Sequence, residues 1–221
     1  MRLNVSCDSP ACLKLLLYYF DMQKRIPYHS FLIFSSTYIE YLSNFTEKLY
    51  PRRGNHKKNV THFIMNYSNF EKELKCLQIH RFLNDFYKDP TIRTQYKQYF
   101  EKIEEKLELV RDGEEIPLDS FFTLDDVDQK DKEYFSHYTI ANGIYDYRNN
   151  AIHEFRNLID YGGFIKVPFL SYTSNLYEDQ EGWFTTDIPF SFLRALLLNC
   201  YNKVRIEYEE FIKGRFPEGL S

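Results

Sequence analysis

Residues 138–159, YTIANGIYDYRNNAIHEFRNLI, decide the fold. Within them Tyr138, Ala141, Tyr145, Ile152, Phe155 and Ile159 keep one phase at steps of three, four, seven, three and four, the spacing of one face of an α-helix. The pattern predicts a long helix from about Gln129 to about Ile159, stopped at Gly162 and Gly163, because glycine readily takes the left-handed conformation that ends helices. The seven-residue step is the anomaly: where an apolar residue belongs, at 148 or 149, the chain supplies Arg148 and Asn149. At about 100° per residue Asn149 and His153 fall one turn apart on one side, while Arg148 lies roughly 140° from His153, across the stripe. Burying unpartnered neutral polar groups costs on the order of 1–3 kcal/mol each, and a guanidinium more. The seam is therefore expected to open onto a groove or a partner; the other reading is an Arg and a His satisfied by buried carboxylates or carbonyls.

Helical spacing extends outward from this segment. From Ser30, the residues Phe31, Phe34, Tyr38, Leu42, Phe45 and Leu49 recur at threes and fours, and Pro51 with the turn Arg53 to Asn55 closes that helix. Phe70, Leu74, Leu77 and Phe82 form a further stripe, and Ile92, Tyr96, Tyr99, Ile103, Leu107 and Val110 another after Pro90. A last helix carries Phe190, Leu193, Leu197, Cys200, Val204, Tyr208 and Phe211 on one face, starting after Asp187 and Pro189. Residues 164–173 and 183–186 are rich in β-branched and aromatic types and predict a small two-stranded hairpin, an insertion around 164–186. Between Asp112 and Asp128 seven acidic residues and no Lys or Arg predict an exposed acidic connection. The expected architecture is all-α, a helical bundle with a small β-hairpin, in one domain over residues 1–221.

Composition agrees. Eight Gly and eight Pro in 221 residues are too few for a fold punctuated by tight β-turns, whereas 43% hydrophobic residues suffice for a core. A net charge of -4 excludes the strong positive field of a constitutive nucleic-acid binder. Any phosphate contact must be local, and Arg52, Arg53, Lys57 and Lys58, with no acid among residues 52–58, form the best such patch. Cys7, Cys12, Cys76 and Cys200 lack metal-ligand spacing and read as free thiols. The apolar run from Leu13 to Phe20 is too short to cross a bilayer and has no basic leader before it, so a cytoplasmic protein without membrane contact is expected. His56 and His62 stand beside Lys57 and Lys58 without a carboxylate cluster in sequence, so no metal or other cofactor is expected.

The string Arg148-Asn149-Asn150-Ala151-Ile152-His153, followed by Glu154, resembles the R-x4-6-H signature of the HEPN superfamily. The segment Tyr38 to Leu42, with its Ile39-Glu40 pair, also looks like the second helix of many HEPN proteins, and the resemblance covers roughly residues 28–213. It implies a metal-independent endoribonuclease in which His153 is the acid/base, Arg148 the phosphate clamp and Asn149 the group orienting either. It also implies a homodimer joined through the Arg148/His153 helix, acting on RNA in phage defence or a toxin-antitoxin-like growth arrest, with an antitoxin or regulatory protein as a possible partner. The alternative is a non-catalytic HEPN module that dimerises or binds RNA within a larger complex. Toxin members often extend the motif to R-x4-H-x-Y; here Phe155 stands at that position, so silencing by modification of a tyrosine does not carry over.

Overall fold

The computed structural model describes residues 37–46, 56–146, 168–173 and 182–215. The described chain is mostly helical. Its helices are α1 (residues 37–46), α2 (His56–Tyr67), α3 (Glu71–Lys75), α4 (Ile79–Lys88), α5 (Pro90–Gln95), α6 (Lys97–Arg111), α7 (Lys132–Ser136), α8 (residues 140–146) and α9 (Phe190–Arg215). Strands β1 (Ile116–Pro117), β2 (Phe169–Thr173) and β3 (Trp183–Asp187) make one antiparallel sheet in the order β1-β2-β3.

The longer helices α6 and α9 form where apolar spacing demands them, whereas α5 buries no residue and rests on its cap. On α6, Tyr99, Ile103, Leu107 and Val110 are all buried, one stripe of a helix whose other faces carry Glu and Lys. Asp89 caps α5 by accepting from the Thr91 N–H, and Pro90 sits at its first turn, where no N–H is needed. On α9, Phe192, Leu193, Leu196, Leu197, Cys200 and Val204 are buried, and the helix is tied to α2 by Tyr67 donating to Glu207 at 2.6 Å and by Asn199 donating to the Ser68 carbonyl at 2.6 Å. A continuous hydrophobic cluster runs from Ile39 on α1 to Val204 on α9. Much of the aromatic excess lies in it: Phe135 meets Phe82, Tyr96 and Tyr99 with ring centroids 4.9–5.3 Å apart.

Three expectations change. The helix expected from Gln129 is interrupted: α7 stops at Ser136, and α8 begins at residue 140. The extended segment Cys76 to Gln78 causes the break. The Gln78 N–H donates to the Tyr138 carbonyl at 2.7 Å, the Gln78 side chain donates to the Thr139 carbonyl at 2.9 Å, and the Ile140 N–H donates to the Cys76 carbonyl at 2.9 Å. Gly143 of α8 lies against the same glutamine; a Cβ there would fall 2.3 Å from Gln78 Nε2, which is why a residue of poor helix propensity stands in this helix.

The acidic stretch is the second change. Its backbone is no free loop, because Leu118, Phe121, Phe122 and Val127 are buried in the core. Its acids serve as local caps and surface pairs: Asp126 closes a capping box with Thr123, Asp119 pairs with Lys72 at 2.8 Å, and Asp125 pairs with Lys75 at 3.3 Å. The third change is that this stretch contributes β1, which turns the expected hairpin into a three-stranded sheet pairing Ile116 with Leu170 and Leu170 with Thr186. Pro117, which cannot donate to a ladder, sits on the edge strand. Neighbouring Phe169 and Leu170 point to opposite faces and are both buried, so this end of the sheet is covered on two sides. Helix α4 packs near β3 and α6 near β2.

Candidate functional site

Of the residues singled out in sequence, Arg148, Asn149 and His153, and with them Arg52 and Arg53, lie outside the described residues. Lys57 and Lys58 lie in the first turn of α2. The described part of α8 ends at Asp146, two positions before Arg148 in sequence, and its carboxylate is gripped from two other helices. Lys57 Nζ of α2 donates to Asp146 Oδ1 at 2.6 Å, and Arg81 Nη1 of α4 donates to Asp146 Oδ2 at 3.1 Å. All three side chains are partly buried, 25% exposed for Asp146 and 33% and 37% for its partners. Two cations thus share one carboxylate. Lys58, beside them, is exposed.

A second pair adjoins this clamp. His56 Nε2 lies 2.6 Å from Glu40 Oε1 of α1, and the Glu40 side chain is only 16% exposed. This carboxylate therefore holds a histidine rather than facing open solvent. Because a carboxylate accepts, the His56 Nε2–H is the donor of this bond. The ring is 40% exposed and meets Tyr145 of α8 edge-on at 5.9 Å, while Lys57 Nζ stands 5.7 Å over the face of the same tyrosine. Helices α1, α2, α4 and α8 thus bring a carboxylate-oriented imidazole, a tyrosine and two cations together around Tyr145 and Asp146. Chemically, the planar Arg81 guanidinium and the Lys57 ammonium are donors that suit an anionic oxygen.

Lys57, His56 and Glu40 stand out in the sequence singly and are not joined there, while Arg81 and Asp146 carry no local signal. Glu40 and His56 are 16 positions apart, Arg81 and Asp146 are 65 apart, and Lys57 and Asp146 are 89 apart, so no local pattern joins them. Cys76 and Cys200 are free and buried, as expected of plain thiols, and burial raises both pKa values, that of Cys76 to about 12. Among the described residues, no group of three or more His, Cys, Asp or Glu is placed to hold a metal ion. Among the described residues, no helix is long and apolar enough to cross a membrane. Comparison of the chain with protein-family models, curated proteins and solved structures finds no match.

Proposed function

We propose that the protein is a metal-independent endoribonuclease of HEPN type. In this reading His153 takes the proton from a ribose 2'-OH, the 2'-oxygen bonds to the adjacent phosphorus, and the P–O5' bond breaks as the 5'-oxygen is protonated. Arg148 neutralises the non-bridging oxygens, which its planar fork suits, and Asn149 orients either group. One Arg148/His153 helix offers a single His, so a homodimer through that helix would supply both a base and an acid. A cytoplasmic role in phage defence or growth arrest, with an antitoxin or regulatory protein as partner, belongs to the same reading.

The observation that carries the proposal is the sequence string Arg148-Asn149-Asn150-Ala151-Ile152-His153 with its R-x4-H spacing; the break before α8 takes Tyr138 out of the expected seam, of which Ala141 and Tyr145 lie on the described part of α8. The clamp on Asp146 adds support, since α8 is fixed just ahead of the motif by the two cations Lys57 and Arg81. The test is cleavage of total RNA by the purified protein and by its His153→Ala and Arg148→Ala variants, each checked for unchanged helicity by circular dichroism. Loss of cleavage in both variants is expected. RNA bound with salt-dependent affinity but cut by neither the parent nor the variants would replace this reading with the non-catalytic module.

A further inference from the structure

Between α4, the C-terminal end of α6 and the β2-β3 ladder lies a groove of about 1080 Å³. Arg81, Asn84, Tyr87, Arg111, Tyr172 and Phe184 line it. Its volume is slightly above the roughly 300–1,000 Å³ of pockets that enclose a small ligand, which favours a segment of a longer chain over a free metabolite. Its chemistry is divided. Tyr172 and Phe184 form an aromatic wall with ring centroids 5.0 Å apart, and the Arg111 guanidinium lies over the Phe184 ring at 5.4 Å. Tyr87 is 49% exposed, and it interacts electrostatically with the same guanidinium.

Polar groups of the groove match an edge that both donates and accepts. Asn84 offers an amide, and Asp85 a carboxylate already engaged by the Tyr138 hydroxyl at 2.7 Å. His80, also at the groove, is bonded to Thr186 Oγ1 at 2.7 Å, which ties the groove to β3. Arg81 joins two places, because it lines the groove and also donates to Asp146. The groove therefore begins at the clamp that fixes α8 ahead of the Arg148 motif. One exposed and two half-buried aromatic rings, planar cations and a mixed hydrogen-bonding edge, arranged along one groove, are what an unpaired nucleotide requires. An acidic peptide would use the arginines but not the aromatic wall.

We infer that this groove binds a single-stranded RNA segment flanking the cleaved bond, with a base against Tyr87 or Tyr172 and phosphates at Arg81 and Arg111. The inference rests on the ribonuclease reading, and it assigns the enzyme a preference for unpaired over duplex RNA. The assay is fluorescence anisotropy of a labelled oligoribonucleotide, single-stranded or annealed to its complement, on the full-length chain carrying His153→Ala to prevent cutting. Tyr87→Ala and Arg111→Gln are introduced singly; both side chains are substantially exposed, and thermal unfolding verifies that each variant folds.

The single strand should bind more tightly than the duplex. Tyr87→Ala should weaken its binding by about ten-fold, the scale of a lost base stack. Arg111→Gln should reduce the slope of log affinity against log salt by about 0.7, one phosphate contact on a single strand. Unchanged affinity and slope in both variants, on a parent protein that cuts RNA, would overturn the groove assignment and leave the ribonuclease reading intact. A parent that neither binds nor cuts RNA would overturn both.

Discussion

Lys57 and Asp146, 89 positions apart in the chain, are joined by a hydrogen-bonded ion pair of 2.6 Å, and Arg81 shares the same carboxylate at 3.1 Å. The arrangement couples three helices at the residue where the described part of α8 ends. A double-mutant cycle of Lys57→Met and Asp146→Asn should give a coupling energy of roughly 0.5–1 kcal/mol in urea unfolding, the range for partly exposed pairs. Strict additivity would mean that the pair contributes nothing to holding α8.

Gly143 and Gln78 make the second coupled pair. Gly143→Ala should destabilise the protein by about 1–3 kcal/mol, since the buried amide must move from its bond to the Thr139 carbonyl. In a Gln78→Ala background the same substitution should be neutral, or stabilising by up to about 1 kcal/mol, as alanine restores helix propensity. Equal costs in the two backgrounds, measured by denaturant midpoints, would rule out the steric explanation for the glycine.

Burial, followed by repulsion from Arg81, lowers the pKa of His80 from 6.5 to about 4. The unfolded chain therefore binds more protons at this site between those values. Stability contributed by His80 is complete above about pH 6.5 and is lost as pH falls toward 4, by about 3 kcal/mol at most. His80→Gln should flatten this part of the stability profile relative to the parent. Parallel profiles from pH 7 down to pH 4 would show that His80 is not held neutral in the fold.

Tyr99 is 1% exposed, and its hydroxyl donates to Asp131 at 2.8 Å and accepts from the Asp128 N–H at 3.2 Å. Tyr99→Phe removes only that oxygen and leaves Asp131, itself buried, short of a donor. A loss of about 1–3 kcal/mol is expected. Because the hydroxyl joins α6 to the turn before α7, hydrogen exchange in residues 128–136 should speed up while α9 keeps its protection. A uniform change across both regions would argue against a local tie.

Much of the helical architecture was legible because burial follows three- and four-residue spacing on α6 and α9, where Tyr99, Ile103, Leu107, Leu193, Leu197 and Val204 are core residues. What escaped sequence reading has a non-local cause. The break between α7 and α8 is imposed by Gln78, whose side chain bonds to a carbonyl 61 positions away. Strand β1 is two residues long, so no alternation announces it, and its partner Leu170 lies far along the chain. The acidic stretch misled because charge dominates its composition, while four apolar residues, Leu118, Phe121, Phe122 and Val127, bury its backbone. The Arg148 string is a local motif of the sequence and lies outside the described residues, whereas the pairs Glu40/His56 and Arg81/Asp146 exist only after folding.

The most direct test of the central claim is the chemistry of the RNA ends. Purified protein is incubated with total RNA in EDTA, beside the His153→Ala variant, and the termini of the products are determined and mapped. The account predicts cuts by the parent alone, each leaving a 2',3'-cyclic phosphate and a 5'-hydroxyl. Cuts that persist in the His153→Ala variant, or products with 3'-hydroxyl and 5'-phosphate ends, would contradict it.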